Sequence, residues 1–170
     1  MNKTIRWQGI SIDLAETLTI TEHTHHFSVE SQLKGILQAD SIDIRYQVQL
    51  EKDWTWKEFY LHDTQGEVLR VIRSAQEPAF ENCEYIDFRL TPFTNTLPIR
   101  HLQLETGEKK EIRVIYIAYP KASLQIMRQE YTKLDEGKYF YKNFDTNFES
   151  EISTDAEGFV IEYPNLFKQV

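Results

Sequence analysis

Ile42, Ile44, Tyr46, Val48 and Leu50 alternate strictly with Asp43, Arg45, Gln47, Gln49 and Glu51. Successive strand residues point to opposite faces, so this run specifies a strand with one face in a core and the other in water. The same period of two recurs along most of the chain. Gly-containing turns at 63–66, 106–107, 135–137 and 155–158 punctuate strand candidates at 67–73, 111–119, 138–141, 147–153 and 159–163. Segments 16–22 and 27–38 read as earlier strands, and 54–63 follows the alternating run closely enough to be its antiparallel hairpin partner. On that partner Trp54, Trp56, Tyr60 and His62 are expected to share one face. Segment 124–134 is the one stretch that admits a helix, and strand is the stronger reading there. The fold class is therefore all-β with a minor helix at most: a strongly curved antiparallel sheet or a barrel-like fold.

Length and charge narrow the rest. A chain of 170 residues suits one domain over 1–170, large enough to bury a core without staples. Its 19 Lys and Arg against 27 Asp and Glu leave a net charge of −8, which argues against a nucleic-acid partner. Nothing approaches a membrane span, so no stable membrane insertion is expected. Cys83 is the only cysteine, which excludes an intrachain disulfide and favours a reducing, cytoplasmic setting. A shift of 92 residues lays Asp63 on Asp155 and Gly66 on Gly158, with Val68 and Leu69 on Val160 and Ile161. Two similar sheet halves would produce that echo, and so would two ordinary hairpin turns.

Chemistry-bearing motifs are sparse. His23, His25 and His26 supply at most two metal ligands from one strand face, so a third would have to come from His62, His101 or a carboxylate. A solvated strand end explains them as well, and no metal is expected. No Gly-x-Ser-x-Gly elbow, phosphate loop or dinucleotide fingerprint is present, so no catalytic residue and no cofactor are assigned. Cys83 lies between carboxylates that would raise its thiol pKa, the wrong direction for a nucleophile. The 10 Phe, 9 Tyr and 3 Trp fit either core packing or the lining of a ligand cavity.

The densest local pattern is Leu90-Thr91-Pro92-Phe93-Thr94-Asn95-Thr96-Leu97-Pro98-Ile99-Arg100. Two prolines six residues apart, with threonines and an asparagine between them, read as a specified loop between strands 85–90 and 99–104. Together with Tyr85-Ile86-Asp87-Phe88-Arg89 ahead of it, this block resembles the signature of a bacterial family labelled "putative glycolipid-binding". The C-terminal half carries the likeness further, through Gln129-x-Tyr131-Thr132, Asp155-x-x-Gly158-x-Val160 and Tyr163-Pro164-x-Leu166-Phe167, as does the Trp54 segment after Tyr46-x-Val48. The chain departs from the family pattern at 73–78, where a Trp turn is expected, and at His101, where a second Arg is expected.

The resemblance implies a barrel-like fold akin to the lipoprotein localisation factors, whose half-open barrels hold acyl chains. It also implies a lipid or glycolipid partner bound without catalysis. Arg100 then suits an anionic head group, or a salt bridge to Asp87. Thr94 and Asn95 suit sugar hydroxyls or loop self-bonding, and Trp54, Trp56 and Tyr131 suit the aromatic lining. Two other readings stand beside it. One is an enzyme of unknown reaction, with Asp87, Arg100 and His101 gathered around the loop. The other is a structural or partner-binding domain, including a homo-oligomer formed through a sheet edge.

Overall fold

The computed structural model describes residues 1–170. Two compact units divide the chain: Met1–Gln76 with Asn165–Val170, and Glu77–Pro164.

The first unit is a meander. Strands β1 (Asn2–Gly9), β2 (Asp13–Glu22), β3 (His26–Leu37), β4 (Asp40–Glu51), β5 (Trp56–Asp63) and β6 (Gly66–Ile72) each pair antiparallel with the next. The last strand of the chain, β13 (Phe167–Gln169), pairs with β1. One row of this sheet aligns Leu18, Ser31, Tyr46 and Leu61 across β2 to β5. All four are buried, as the alternation requires. Glu16 falls in phase with Leu14, Leu18 and Ile20, so a carboxylate enters the apolar face. Its Oε1 accepts from Ser31 Oγ at 2.7 Å and from Tyr46 OH at 2.6 Å.

The expected face of the Trp54 segment is corrected by a break in register. Gln49 opposes Glu58 while Leu50 opposes Trp56, so one extra residue is accommodated in β5. Such a bulge flips the facing of the strand beyond it. Trp56 is consequently buried with Phe59 and Leu61, whereas Tyr60 and His62 lie on the other face. Trp54 sits in the preceding turn at φ 71° and packs against Phe27, ring centroids 5.1 Å apart.

The second unit contains β7 (Tyr85–Phe88), helix α1 (Phe93–Leu102), β8 (Lys109–Ile117), β9 (Leu124–Asp135), β10 (Lys138–Asn143), β11 (Phe148–Thr154) and β12 (Val160–Tyr163). Its strand order also follows the chain, β7 to β12. Each unit thus contains six consecutive strands paired in chain order, which gives the 92-residue echo a structural counterpart: β5–β6 corresponds to β11–β12. Each turn is held by its aspartate. Asp63 Oδ1 accepts from the backbone N–H of Gln65 and Gly66, and Asp155 Oδ1 from those of Glu157 and Phe159. The units differ at their start, because β7 runs parallel to β8 and needs a crossover.

That crossover is α1, which corrects the reading of residues 90–100 as a loop followed by a strand. Pro92 is the N-cap at φ −76°, where a missing N–H is harmless, and Gln103 ends the helix in the left-handed region. Pro98 inside the helix forfeits one backbone bond, at a cost of about 3 kcal/mol. Burial offsets it: Phe93 to Ile99 are all buried, so the first two turns of α1 are enclosed on every side. The prolines mark local strain that the tertiary environment overrides. Segment 124–134 is strand, as expected.

The strands of neither unit close into a barrel. Within the first unit β6 does not pair with β13, and within the second β7 does not pair with β12. No helix is long and apolar enough to cross a membrane.

Candidate functional site

Four of the residues singled out in the sequence converge in the second unit. Asp87 stands on β7 between Ile86 and Phe88, both buried. Its carboxylate accepts from Thr94 Oγ1 at 3.1 Å and from Gln129 Nε2 at 2.6 Å. Thr94 is oriented by its own role as acceptor from the Phe88 N–H. Asn95 follows in the first turn of α1, donating through Nδ2 to the Pro92 carbonyl and accepting through Oδ1 from Tyr131 OH at 2.7 Å. Gln129 and Tyr131 are two apart on β9, so strand geometry presents both to the same side.

Tyrosines complete the cluster. Tyr141 is the cross-strand partner of Tyr131, with ring centroids 5.2 Å apart, and Tyr163 meets Tyr141 edge-on at 6.0 Å. Tyr116 is the register partner of Asp87 on β8. Loss of hydration raises the Asp87 pKa against the opposing pull of the Gln129 and Thr94 hydrogen bonds. The residue nevertheless keeps part of its surface open. Burial also raises Tyr116, Tyr131, Tyr141 and Tyr163, and the Asp87 charge adds to each. The result is a carboxyl held by two neutral donors, surrounded by phenol rings and amides. Such a group favours hydroxyl or amide donors from a ligand, and it resists a second carboxylate.

The remaining candidates lie elsewhere. Arg100 does not pair with Asp87. Its Nη1 donates to the Glu157 carbonyl, and the guanidinium lies over the Phe159 ring, 5.2 Å from the centroid. Those contacts tie α1 to the β11–β12 turn, where a Cβ on Gly158 would come within 3.0 Å of the Arg100 side chain. His101 Nδ1 bonds Tyr85 OH at 2.7 Å. Asp87, Arg100 and His101 therefore address three different sets of partners. Trp54 and Trp56 belong to the core of the first unit.

His23 and His26 stack on each other at 4.4 Å, and His23 Nε2 bonds Ser28 Oγ. No group of three or more metal-donor side chains assembles. Cys83 is buried, and burial, not the flanking carboxylates, raises its thiol.

In the sequence Gln129 and Tyr163 stand only within the motifs of the family resemblance, Tyr116 and Tyr141 only among the aromatic side chains that fit a cavity lining, and the buried Glu16 is not singled out. Phase would have found two of them: Gln129 alternates with Met127 and Tyr131, and Glu16 with Leu14 and Leu18. A polar residue in phase with an apolar face marks a buried polar group. The tyrosines carry no such signal, because each also reads as ordinary core.

No curated protein matches the chain. Among solved structures, it is similar to the crystal structure of a DUF1089 family protein from Pseudomonas aeruginosa, with 31% identity and a TM-score of 0.78. The match covers 91% of this chain and 92% of that one. The family model described as "Putative glycolipid-binding" matches residues 4–169. The chain belongs to that family.

Proposed function

We propose that this chain is a non-catalytic binding protein for a lipid or glycolipid, and that the Asp87 cluster recognises the ligand's polar part. The observation that carries the reading is the carboxyl of Asp87, held by Gln129 and Thr94 and flanked by Tyr116, Tyr131, Tyr141 and Tyr163. Aromatic faces with a few placed polar groups are the usual composition of small-molecule sites, and tyrosine serves both the C–H faces and the hydroxyls of a sugar. The acyl part packs in an apolar cavity against the aliphatic and aromatic side chains of the same protein. Asn95 and Tyr131 position α1 over the site, and Arg100 fixes the far end of the helix. Trp54 and Trp56 act as scaffold in this reading. A reducing, cytoplasmic location accords with Cys83 as the only cysteine.

Native mass spectrometry of protein purified without detergent tests the proposal. The expected result is a lipid or glycolipid adduct on the wild type, depleted in Asp87→Asn under the same handling. Protein that carries no adduct after exposure to a bacterial lipid extract refutes it, as does an adduct retained equally by Asp87→Asn.

A further inference from the structure

A cleft lies wholly within the first unit, on the water-facing side of its strands, and nothing above assigns it a role. It measures about 810 Å³, within the range of about 300–1,000 Å³ typical of small-molecule sites. Its floor is a cross-strand row: Thr17 on β2 faces Gln32 on β3, which faces Arg45 on β4, which faces His62 on β5. Three interstrand steps of about 4.8 Å make that row roughly 14 Å long. The β5–β6 turn, through Asp63 and Thr64, walls one end.

The side chains there are fixed and polar. Gln32 Nε2 donates to Asp43 Oδ1 at 2.7 Å, and Gln47 Nε2 donates to Glu30 Oε1 at 3.3 Å. Each pair holds two planar groups in place and leaves lone pairs and N–H donors unspent. Asp43 is also met by Lys34 at 3.3 Å, and the Gln32 hydrogen bond is the first cause of its lowered pKa. Among the lining side chains Glu30, Asp43 and Asp63 stand against Arg45, and Lys34 pairs with Asp43 from outside the lining, so the cleft is mildly acidic. His62 stacks on Tyr60 at 6.4 Å, which adds a flat aromatic margin.

We infer that this cleft is a carbohydrate site that takes a neutral oligosaccharide of two or three residues. Planar amides and carboxylates in fixed pairs match vicinal hydroxyls, which offer a donor and an acceptor side by side. The carboxylate excess disfavours a polyanion, and the Arg45 guanidinium on the floor disfavours a polycation. The length of the row fits a short saccharide better than a single sugar. The inference shares with the proposed function only the class of ligand. The cleft contains none of the residues around Asp87, and its occupant needs no acyl chain.

The test is isothermal titration of the full chain with maltotriose, cellotriose and chitotriose, with trigalacturonate as an anionic comparison. At least one neutral trisaccharide is expected to bind saturably in the millimolar range or tighter. The double substitution Gln32→Ala with Gln47→Ala is expected to weaken that binding at least tenfold, with an unchanged unfolding midpoint confirming the fold. The inference is overturned if no neutral trisaccharide binds, if trigalacturonate binds best, or if the double variant binds as the wild type does. Lipid retention is scored separately by native mass spectrometry. Trisaccharide binding without any lipid adduct removes the proposed function and leaves the cleft assignment standing; an adduct without trisaccharide binding does the reverse.

Discussion

Removing one oxygen from Tyr131 tests how α1 is held in place. In Tyr131→Phe the ring can still pack on Tyr141, but the 2.7 Å bond to Asn95 Oδ1 is lost. Tyr131 is 2% exposed and Asn95 6% exposed, so water does not readily replace the missing donor. A hydrogen bond between neutral groups contributes about 0.5–1.5 kcal/mol, and a buried acceptor left without a partner raises the loss to about 1–3 kcal/mol. We expect about 2 kcal/mol. The assay is urea unfolding followed by two intrinsic probes. Trp7, Trp54 and Trp56 all belong to the first unit, whereas Tyr116, Tyr131, Tyr141 and Tyr163 belong to the second. Near-ultraviolet tyrosine dichroism should show a lowered midpoint with an unchanged slope. Asn95→Ala completes a double-mutant cycle, with an expected coupling of about 1–2 kcal/mol. A loss below about 0.5 kcal/mol, or strictly additive single effects, would refute the argument that this bond anchors the helix.

Three other outcomes follow from the geometry. Because burial raises the Asp87 pKa, the folded state holds its proton to higher pH than the unfolded state does. The associated stability is complete below the unfolded value of about 3.9 and is lost as pH rises through the folded value. A plot of unfolding free energy against pH should therefore be flatter for Asp87→Asn than for the wild type; identical slopes would contradict the assignment. A Cβ on Gly35 would lie 1.9 Å from the Asp13 carbonyl oxygen and 2.9 Å from Leu14 Cα, backbone against backbone. Gly35→Ala should cost about 2–3 kcal/mol by thermal unfolding, and Gly66→Ala, where nothing lies near, about 1 kcal/mol through its positive φ alone. Glu22 should titrate at about 2, held down first by its hydrogen bond to Lys52 and then by the N-terminal amine. Carboxyl NMR should show it rising in Lys52→Ala, and a static value would dismiss the Lys52 contact.

Alternation made most strands legible, because it is a local property that one buried face imposes. Local signals failed where the environment reversed them. Residues 92–98 hold two prolines and several turn formers, so they read as a loop, yet complete enclosure makes them a helix. That error carried over to Arg100. A loop reversing direction would bring it back toward Asp87, whereas six helical residues carry it about 9 Å along the axis beyond Thr94, to the Glu157 carbonyl. The facing of Tyr60 and His62 was hidden by the bulge, which leaves no trace in composition. Asp87, Thr94, Asn95 and Tyr131 met in space even so. Three of them lie in one dense block, and the helix that was not foreseen is the element that brings them to β9.

The pairing of β13 with β1 gives the order of synthesis a physical meaning. On the edge of β1 away from β2, Trp7, Gln8 and Gly9 pair with Gln169, Lys168 and Phe167, and the Arg6 carbonyl accepts from the Val170 N–H at 3.0 Å. A ribosome that has released the first six strands has therefore made a sheet whose β1 edge lacks its native neighbour until translation reaches residue 169. During that interval the edge is a template for any other extended chain, including a second nascent copy. Translation speed across the 88 residues from Glu77 to Pro164 sets how long that exposure lasts, and a ribosome stalled within them holds the edge open.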